Sequence, residues 1–441
     1  GLFAVDSRNN TTPILCSQYQ VTPDNRTWTI YLEPNATFSD GTRVTVQDVV
    51  ASYEQARQNV YYKGRFTHIA RVELSSDGGV DFFLDTPYQN LALLLDIPIV
   101  KASEVTVDNP LGTGPYSLED GIGGKHLQRV VNWWCSSDDL VAKDSSIALV
   151  EAESPSQIRD EFEFSGLSVV CTNPQTDSYA DYRCDFELWE VDSGFMMYIG
   201  CNVTYSKFFD DGTLRTFLTY GIDRQTLVDD NYGGLALPTT LPISPMSPYY
   251  SKSLATNYDY DEMRFIDAAS KFRVPTNDKG VPRTLQLLVN SDDSARLRCA
   301  RNIAATLTEL GLACETVESP TSVYEARLQA ANYDIYLGIT KLPTTADLSE
   351  FYRPWGEMSW GGLANETIYN MVNQSLADRG NYYNLHKLVA DDGRIIPVMA
   401  GYYAIYAKRG VLSDLNPARD NVFYYTLGKT MESSKVATQF S

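Results

Sequence analysis

Residues 28–57 constrain the fold more than any other stretch, because they combine a strand pattern, a turn and a helix start. Trp28, Ile30 and Leu32 alternate with polar residues, which predicts a strand with one buried face. The Ser-Asp-Gly-Thr sequence at 39–42 follows. It favours a turn, because glycine adopts positive φ at little cost. A strand followed closely by such a turn predicts an α+β unit.

A helix is predicted directly after this turn. Thr45 is a typical N-cap, and Asp48 stands three residues later, where the acidic partner of a capping box is found. Val46, Val49, Val50 and Tyr53 then follow at helical spacing, which gives the helix one apolar side.

This order of strand, turn and capped helix resembles the signature of extracytoplasmic solute-binding proteins of ABC importers. The resemblance is to the peptide/nickel-binding class, family 5, which includes dipeptide- and oligopeptide-binding proteins. Residues 111–116 (Leu-Gly-Thr-Gly-Pro-Tyr) resemble the family's return into its first lobe, and residues 209–224 resemble its Asp-Arg block. The resemblance covers nearly the whole chain. It implies an α/β, periplasmic-binding-protein-like type II fold, with two lobes, a cleft and an extra small α+β domain.

The resemblance also divides the chain. Lobe I is expected at 1–22, 110–203 and 404–441, the extra domain at 23–109, and lobe II at 204–403. Within lobe II the residue pattern itself alternates between strands and helices. The predicted strands are 285–289, 314–317 and 333–338, and the predicted helices are 294–310 and 323–331. This alternation predicts a parallel sheet with right-handed crossovers.

The charge balance excludes one class of partner. The chain has 36 basic and 56 acidic residues, for a net charge of -20. Such a surface repels phosphate backbones, so we expect no nucleic-acid binding.

The three histidines, His68, His126 and His386, are far apart in the sequence and lack the spacing of metal ligands. We therefore expect no metal and no cofactor. No apolar run reaches the ~18 residues that a membrane helix needs.

The seven cysteines leave the disulfide pattern open. An odd number means that at least one thiol stays unpaired in an exported protein. Cys171 and Cys184 flank a polar loop, so they are one candidate disulfide. Cys299 and Cys314 are a second candidate if the helix of the first packs on the strand of the second.

One loop is the most informative part of the expected ligand site. In the dipeptide- and oligopeptide-binding proteins that this chain resembles, the loop after the strand ending at Gly338 carries an aspartate that pairs with the ligand's α-amino group. That position here is Leu342, preceded by Thr340 and Lys341. A cation in this loop suits an anionic group on the ligand, although Lys341 could equally be a solvated loop charge. Either Asp347 takes over the amino-binding role, or the ligand is not a peptide with a free amino group.

Three further residues complete the candidate ligand-binding set. Trp360 precedes two glycines, in a segment that resembles the family's aromatic-glycine turn near the cleft. It would stack on the ligand or pack beneath the loop. Asn202, at the first crossing between lobes, is interpreted as a hinge residue in preference to a ligand contact. The same two interpretations apply to Tyr116.

The resemblance implies that the protein captures short peptides or peptide-like solutes by lobe closure and delivers them to an ABC permease in the membrane. It would be a monomer in the periplasm or on the outer face of the cytoplasmic membrane. We expect a signal peptide, and a lipid-modified cysteine, to precede Gly1.

Two alternatives remain open from the sequence. Within the family, the ligand could be a nickel chelate, haem or another small solute. From a different class, the protein could be a secreted glycoside hydrolase or a carbohydrate-binding surface protein. The chain has no G-x-S-x-G or H-E-x-x-H motif, so we do not expect an enzyme.

Overall fold

The structure is a computed structural model that describes residues 1–121, 124–135, 144–175, 182–415, 417–419 and 428–429. The chain forms two compact units. Unit 1 contains Gly1–Val191 and the chain from Tyr403 onward, and unit 2 contains Asp192–Tyr402. Among the described residues, no helix is both long enough and apolar enough to cross a membrane.

The secondary-structure elements are numbered in chain order. The strands are β1 (Phe3–Val5), β2 (Thr11–Pro13), β3 (Cys16–Val21), β4 (Thr27–Leu32), β5 (Ile69–Leu74), β6 (Val80–Leu84), β7 (Tyr116–Gly121), β8 (Gly124–Arg129), β9 (Ser146–Ala148), β10 (Val169–Thr172), β11 (Phe186–Cys201), β12 (Leu237–Pro238), β13 (Leu285–Asn290), β14 (Cys314–Ser319), β15 (Ile335–Lys341), β16 (Ile395–Lys408), β17 (Leu412–Asp414) and β18 (Gly428–Lys429). The α-helices are α1 (Val46–Gln58), α2 (Pro155–Phe164), α3 (Thr213–Phe217), α4 (Arg224–Tyr232), α5 (Lys252–Ala255), α6 (Glu262–Lys271), α7 (Ser294–Glu309), α8 (Thr321–Gln329), α9 (Ser349–Tyr352), α10 (Glu366–Ala377) and α11 (Tyr382–Asp392).

In unit 1, an antiparallel sheet with the order β3-β4-β6-β5 packs against α1. Trp28 and Ile30 face inward from β4, as their alternation predicts. The predicted capping box of α1 is confirmed, because the Asp48 amide donates to the Thr45 hydroxyl and the Thr45 amide donates to the Asp48 carboxylate. Tyr53 of α1 is fully buried and its ring meets that of Phe82 edge-on, with centroids 5.0 Å apart. The four-stranded sheet and α1 thus form one packed α+β unit.

In unit 2, β13 lies between β14 and β15 and runs parallel to both. Helices α7 and α8 connect these strands, so the predicted strand–helix alternation with a parallel sheet is confirmed. The other edge of β15 pairs with β11 in the antiparallel direction. Alternate residues of β13 and β15, including Leu287 and Leu337, are fully buried in one apolar core.

The strand β15 extends beyond its predicted end at Gly338. Its antiparallel ladder with β11 continues through Thr340, opposite Met196, to Lys341, opposite Phe195. The pattern of apolar residues ends earlier, because Ile339 is 41% exposed and the two residues after it are polar. Pairing with a neighbouring strand therefore sets the end of β15, and Thr340 and Lys341 lie on a strand instead of in a loop.

The Asp-Arg pair at 223–224 has a structural role in unit 2. Asp223 caps α4 by accepting a hydrogen bond from the Thr226 amide. The guanidinium of Arg224 is buried and donates to the carbonyl oxygens of Pro397 (2.8 Å) and Thr219 (3.2 Å). Burial lowers the pKa of Arg224 to about 10, and carbonyl oxygens compensate for part of the lost hydration.

All seven cysteines lie in described parts of the chain and are free thiols. The two candidate disulfides are therefore absent. Cys171 is held in β10 opposite Ile405 of β16, which fixes its backbone in a strand ladder. Cys299 is fully buried in the core of unit 2, and the half-buried Cys314 packs against the same core. Each thiol of that second pair thus packs as a small apolar group.

Candidate functional site

The carboxyl end of β15 holds the charged residue that the sequence singles out. Lys341 is the last residue of the strand, is half-buried, and lies opposite Phe195 of β11. The backbone is fixed on both strands beside it. The Leu342 amide donates to the Gly194 carbonyl oxygen (2.9 Å), and the Gly194 amide donates to the Asp192 carboxylate (2.9 Å). Backbone hydrogen bonds thus fix the position of Lys341 at the end of the strand.

Thr340 and Lys341 lie on opposite faces of the strand, because successive strand residues alternate. Thr340 shares the face of Tyr336, and its hydroxyl donates to the Met358 sulfur at 3.3 Å. Lys341 shares the face of Ile339, which is 41% exposed. The structure therefore brings an apolar surface, and not the Thr340 hydroxyl, next to Lys341.

Asp347 lies in the loop that follows β15 and is only 8% exposed. Its carboxylate accepts a hydrogen bond from the Ser349 amide at 2.9 Å. Nearby, the Tyr382 hydroxyl donates to the Thr345 carbonyl oxygen at 2.5 Å. Burial, followed by the nearby Tyr249 and the charge of Asp347, raises the pKa of Tyr382. These contacts make Asp347 part of the internal structure of the loop.

Asn202 and Trp360 belong to the other end of β15. The ladder pairs Cys201 with Ile335 and Phe195 with Lys341, so the two ends are roughly 20 Å apart at about 3.3 Å per residue. Asn202 is 1% exposed and directly follows Cys201. The structure therefore separates the backbone of these two residues from that of Lys341.

The side chain of Asn202 is satisfied within the protein. Its amide group donates to the carbonyl oxygens of Ala331 (2.9 Å) and Tyr333 (2.8 Å), and its oxygen accepts from the Tyr205 amide (3.1 Å). The turn that begins at Trp360 packs directly on it, since a Cβ at Gly361 would lie 3.0 Å from the Asn202 Cα. Asn202 therefore joins two segments of unit 2.

An arginine holds the turn that contains Trp360. The guanidinium of Arg394 donates to the carbonyl oxygens of Gly362 (3.1 Å) and Ala364 (2.9 Å). The Asp392 carboxylate lies 3.2 Å from Arg394 and 3.1 Å from Arg215, so it pairs with both. Sequence patterns miss this arrangement, because the residues that meet are distant in the chain.

Tyr116 lies in unit 1, as the first residue of β7. Its hydroxyl donates to the Asp144 carbonyl oxygen at 2.9 Å, and its ring is half-buried. Burial raises its pKa. The hydroxyl thus has a partner two residues before β9, which belongs to the same three-stranded sheet as β7.

The residues just before Tyr116 border a cavity of about 260 Å³ in unit 1. Its wall is mainly apolar and includes Phe3, Ile14, Ile99, Pro115 and Trp133. The Thr113 carbonyl oxygen, also at the wall, accepts hydrogen bonds from the indoles of Trp133 and Trp134, both at 2.9 Å. The Trp-Trp pair is visible in the sequence, but only the fold shows that both rings meet the Gly-Thr-Gly-Pro segment.

No group of three or more histidine, cysteine, aspartate or glutamate residues that could hold a metal ion occurs within the described residues. His68 instead pairs with Asp85 at 2.7 Å, and His386 is fully buried in α11.

Comparison with known proteins identifies the relatives of this chain. The family described as bacterial extracellular solute-binding proteins, family 5 Middle, matches residues 10–362. The glutathione-binding protein GsiB of Escherichia coli O6:K15:H31 is 25% identical over 281 residues, which cover 59% of this chain and 53% of that protein. The chain thus spans about half the length of these relatives. The probable D,D-dipeptide-binding periplasmic protein DdpA of Escherichia coli K12 is 22% identical, over 93% of this chain and 83% of its own.

Solved structures share the fold. The putative peptide-binding protein AppA from Clostridium difficile superposes with a TM-score of 0.77 at 16% identity, over 97% of this chain and 93% of its own. The predicted type II periplasmic-binding-protein-like fold is confirmed. Because the family match covers most of the sequence, the chain belongs to family 5 of the bacterial extracellular solute-binding proteins.

Proposed function

We propose that this protein captures a short peptide or peptide-like solute that carries an anionic group, and delivers it to an ABC permease. Family 5 contains the peptide and nickel-chelate binding proteins of ABC importers, and its members act outside the cytoplasm. The anionic group on the ligand is proposed for this chain alone, and not for the family. It depends on the residues at the carboxyl end of β15.

The observation that carries the proposal is the position of Lys341. It is half-buried at the carboxyl end of a strand in an open α/β sheet, where such sheets bind ligands. Its backbone is fixed by the ladder with β11 and by the hydrogen bond from Leu342 to Gly194, so only its side chain must become ordered when a ligand binds. A lysine there favours a carboxylate or another anion.

Asp347 supports the same choice of ligand. Its carboxylate is nearly buried and accepts the Ser349 amide, which makes it a poor partner for a ligand's ammonium group. Of the two interpretations of this loop, we therefore favour a ligand that is not held by a free amino group. Among the known relatives, one is named for glutathione and another for a D,D-dipeptide, and this supports a small peptide-like solute.

Nickel chelates remain the alternative ligand class within the family. A chelated metal would bring its own ligands, and a chelator with free carboxylates would also suit Lys341. Thr340, Trp360, Asn202 and Tyr116 contribute to the proposal mainly as residues that shape unit 1 or unit 2, because the hydrogen-bonding groups of three of them have partners within the protein.

The first experiment is native mass spectrometry of the purified protein, with fragmentation of any released ligand. A peptide or peptide-like anion is expected. A released nickel complex would move the ligand to the alternative class, and hydrolysis of added peptides or glycosides would contradict the binding-protein function. The mass of the intact protein also tests whether it is a monomer, as we propose.

The second experiment measures binding of the released compound to variants at Lys341. Lys341→Gln should weaken binding about tenfold or more, since a charge-assisted hydrogen bond is lost, and Lys341→Arg should retain most of it. Lys387→Gln removes a lysine that pairs with Asp391 on the surface of α11, and should have no effect. Equal affinities for Lys341→Gln and the wild-type protein would show that Lys341 does not bind the ligand.

A further inference from the structure

The turn at residues 353–359 is held rigidly by Glu350. The Glu350 carbonyl oxygen accepts a hydrogen bond from the Met358 amide at 3.1 Å, and its carboxylate lies 2.7 Å from the guanidinium of Arg353. Gly356 packs so closely that a Cβ there would lie 2.2 Å from the Glu350 carbonyl oxygen. This turn therefore has little conformational freedom.

Trp355 lies in this turn with an unfavourable backbone conformation and an exposed side chain. Its side chain is 98% exposed and its φ is +61°. Left-handed backbone is unfavourable for a residue with a Cβ, and an indole in water forgoes the stabilisation that burial gives. At this exposure the protein itself offers the ring almost no packing. Backbone strain that the surrounding structure maintains is concentrated at ligand-binding sites, and it supports a binding role for the exposed indole of Trp355.

The turn is joined to the carboxyl end of β15. The Thr340 hydroxyl donates to the sulfur of Met358, which is three residues after Trp355. The turn therefore contacts the same strand end that presents Lys341, on the opposite face of the strand. Ligands of open α/β sheets bind at such strand ends, so the turn that carries Trp355 is anchored beside the proposed site.

We propose that Trp355 contacts the ligand and selects peptide-like solutes with an aromatic or bulky apolar side chain. This inference rests on the proposed function and names a further part of the same site. The indole face stacks on rings and covers aliphatic chains. Because the turn that carries Trp355 contacts β15 on the face opposite to Lys341, the two residues contact different parts of the ligand. Lys341 sets the charge of the ligand, and Trp355 sets its preferred side chain.

The test is competitive capture from an equimolar library of tripeptides that contain all common side chains, followed by mass spectrometry of the bound peptides. The wild-type protein should enrich peptides with an aromatic or bulky apolar residue about fivefold. Trp355→Ala should lose this enrichment, and Trp355→Phe should retain most of it. Phe164→Ala removes another exposed aromatic residue, 81% exposed at the end of α2 in unit 1, and should leave the enrichment unchanged.

The outcomes separate this inference from the proposed function. Unchanged enrichment by Trp355→Ala overturns the role of Trp355. The role is also overturned if Trp355→Ala keeps the enrichment but no longer supports uptake into membrane vesicles. Trp355 would then contact the permease and not the ligand. If the wild-type protein captures no tripeptide, the inference is overturned, and the proposed function falls with it only if native mass spectrometry also releases no peptide-like anion.

Discussion

The guanidinium of Arg394 donates a hydrogen bond to the carbonyl oxygen of Gly362 at 3.1 Å, and through it holds the turn that begins at Trp360. A second bond from the same nitrogen reaches Ala364 at 2.9 Å. A single side chain thus satisfies two backbone acceptors at the end of the short 3-10 helix Trp360–Gly362 and just after it.

We therefore expect Arg394→Met to lower the free energy of unfolding by about 2 kcal/mol, because two partly buried carbonyl oxygens lose a charged donor. Urea unfolding followed by circular dichroism measures the change. The control is Arg301→Met, which breaks an exposed bidentate pair with Glu318 and should have a much smaller effect. Equal effects of both variants would contradict the structural role of Arg394.

His386 should make the protein sensitive to mild acid. It is 0% exposed, neither ring nitrogen has a hydrogen-bond partner among the described residues, and burial lowers its pKa to about 4 from 6.5. As the pH falls below 6.5, the unfolded chain binds a proton at His386 that the folded chain excludes. The free energy of unfolding should therefore fall by up to about 3 kcal/mol as the pH drops from 6.5 to about 4. Above pH 6.5, His386 should cause no change.

The His386→Leu variant isolates this effect, because leucine cannot bind a proton. The difference in unfolding free energy between wild type and variant is measured at several pH values. It should change between pH 6.5 and about 4 and be constant above pH 6.5. His126→Gln, at a half-buried position in β8, is the comparison variant. A constant difference between wild type and His386→Leu at all pH values would show that His386 keeps its proton equilibrium on folding.

Trp355 offers a test of backbone strain. At φ +61°, glycine is favoured over alanine by about 1 kcal/mol, so Trp355→Gly should be more stable than Trp355→Ala. Thermal unfolding measures the difference. At Tyr205, which is 73% exposed and outside the positive-φ residues, the order should reverse. A less stable Trp355→Gly variant would mean that the turn relaxes when the indole is removed.

The capping box of α1 is the fourth stability test. Thr45→Ala removes the hydroxyl that accepts the Asp48 amide, and should cost about 1 kcal/mol. Thr45→Ser retains that hydroxyl and should be nearly neutral. Both are compared with the wild-type protein in urea. Equal losses in the two variants would assign the effect of Thr45 to its methyl group.

Local patterns in the sequence predict much of the fold. The cap at Thr45, the strand β4 and the strands β13 and β14 follow from residue types at fixed spacing, since each depends on neighbours in the chain. The end of β15 does not follow, because pairing with β11 extends it beyond its apolar residues. Pairing partners are distant in sequence, so the polar Thr340 and Lys341 gave no signal for a strand.

The candidate site was predicted less completely for the same reason. Counting from Gly338 located Lys341, but it could not show that the register of β11 and β15 places Asn202 and Trp360 at the other end of the strand. Nor could it distinguish Trp355 from Trp360. Both are tryptophans beside glycines, and only the fold shows that one of them is almost fully exposed in a turn with positive φ.

The placement of Lys341 on a paired strand limits how relatives of this protein can diverge. A one-residue insertion between 335 and 341 would either break the ladder with β11 or turn every later side chain to the other face. New ligand preferences would therefore arise by substitution within β15, while changes in length would be confined to the segments beyond it. In an alignment of orthologues, we expect gaps after 341 and none in the six positions before it.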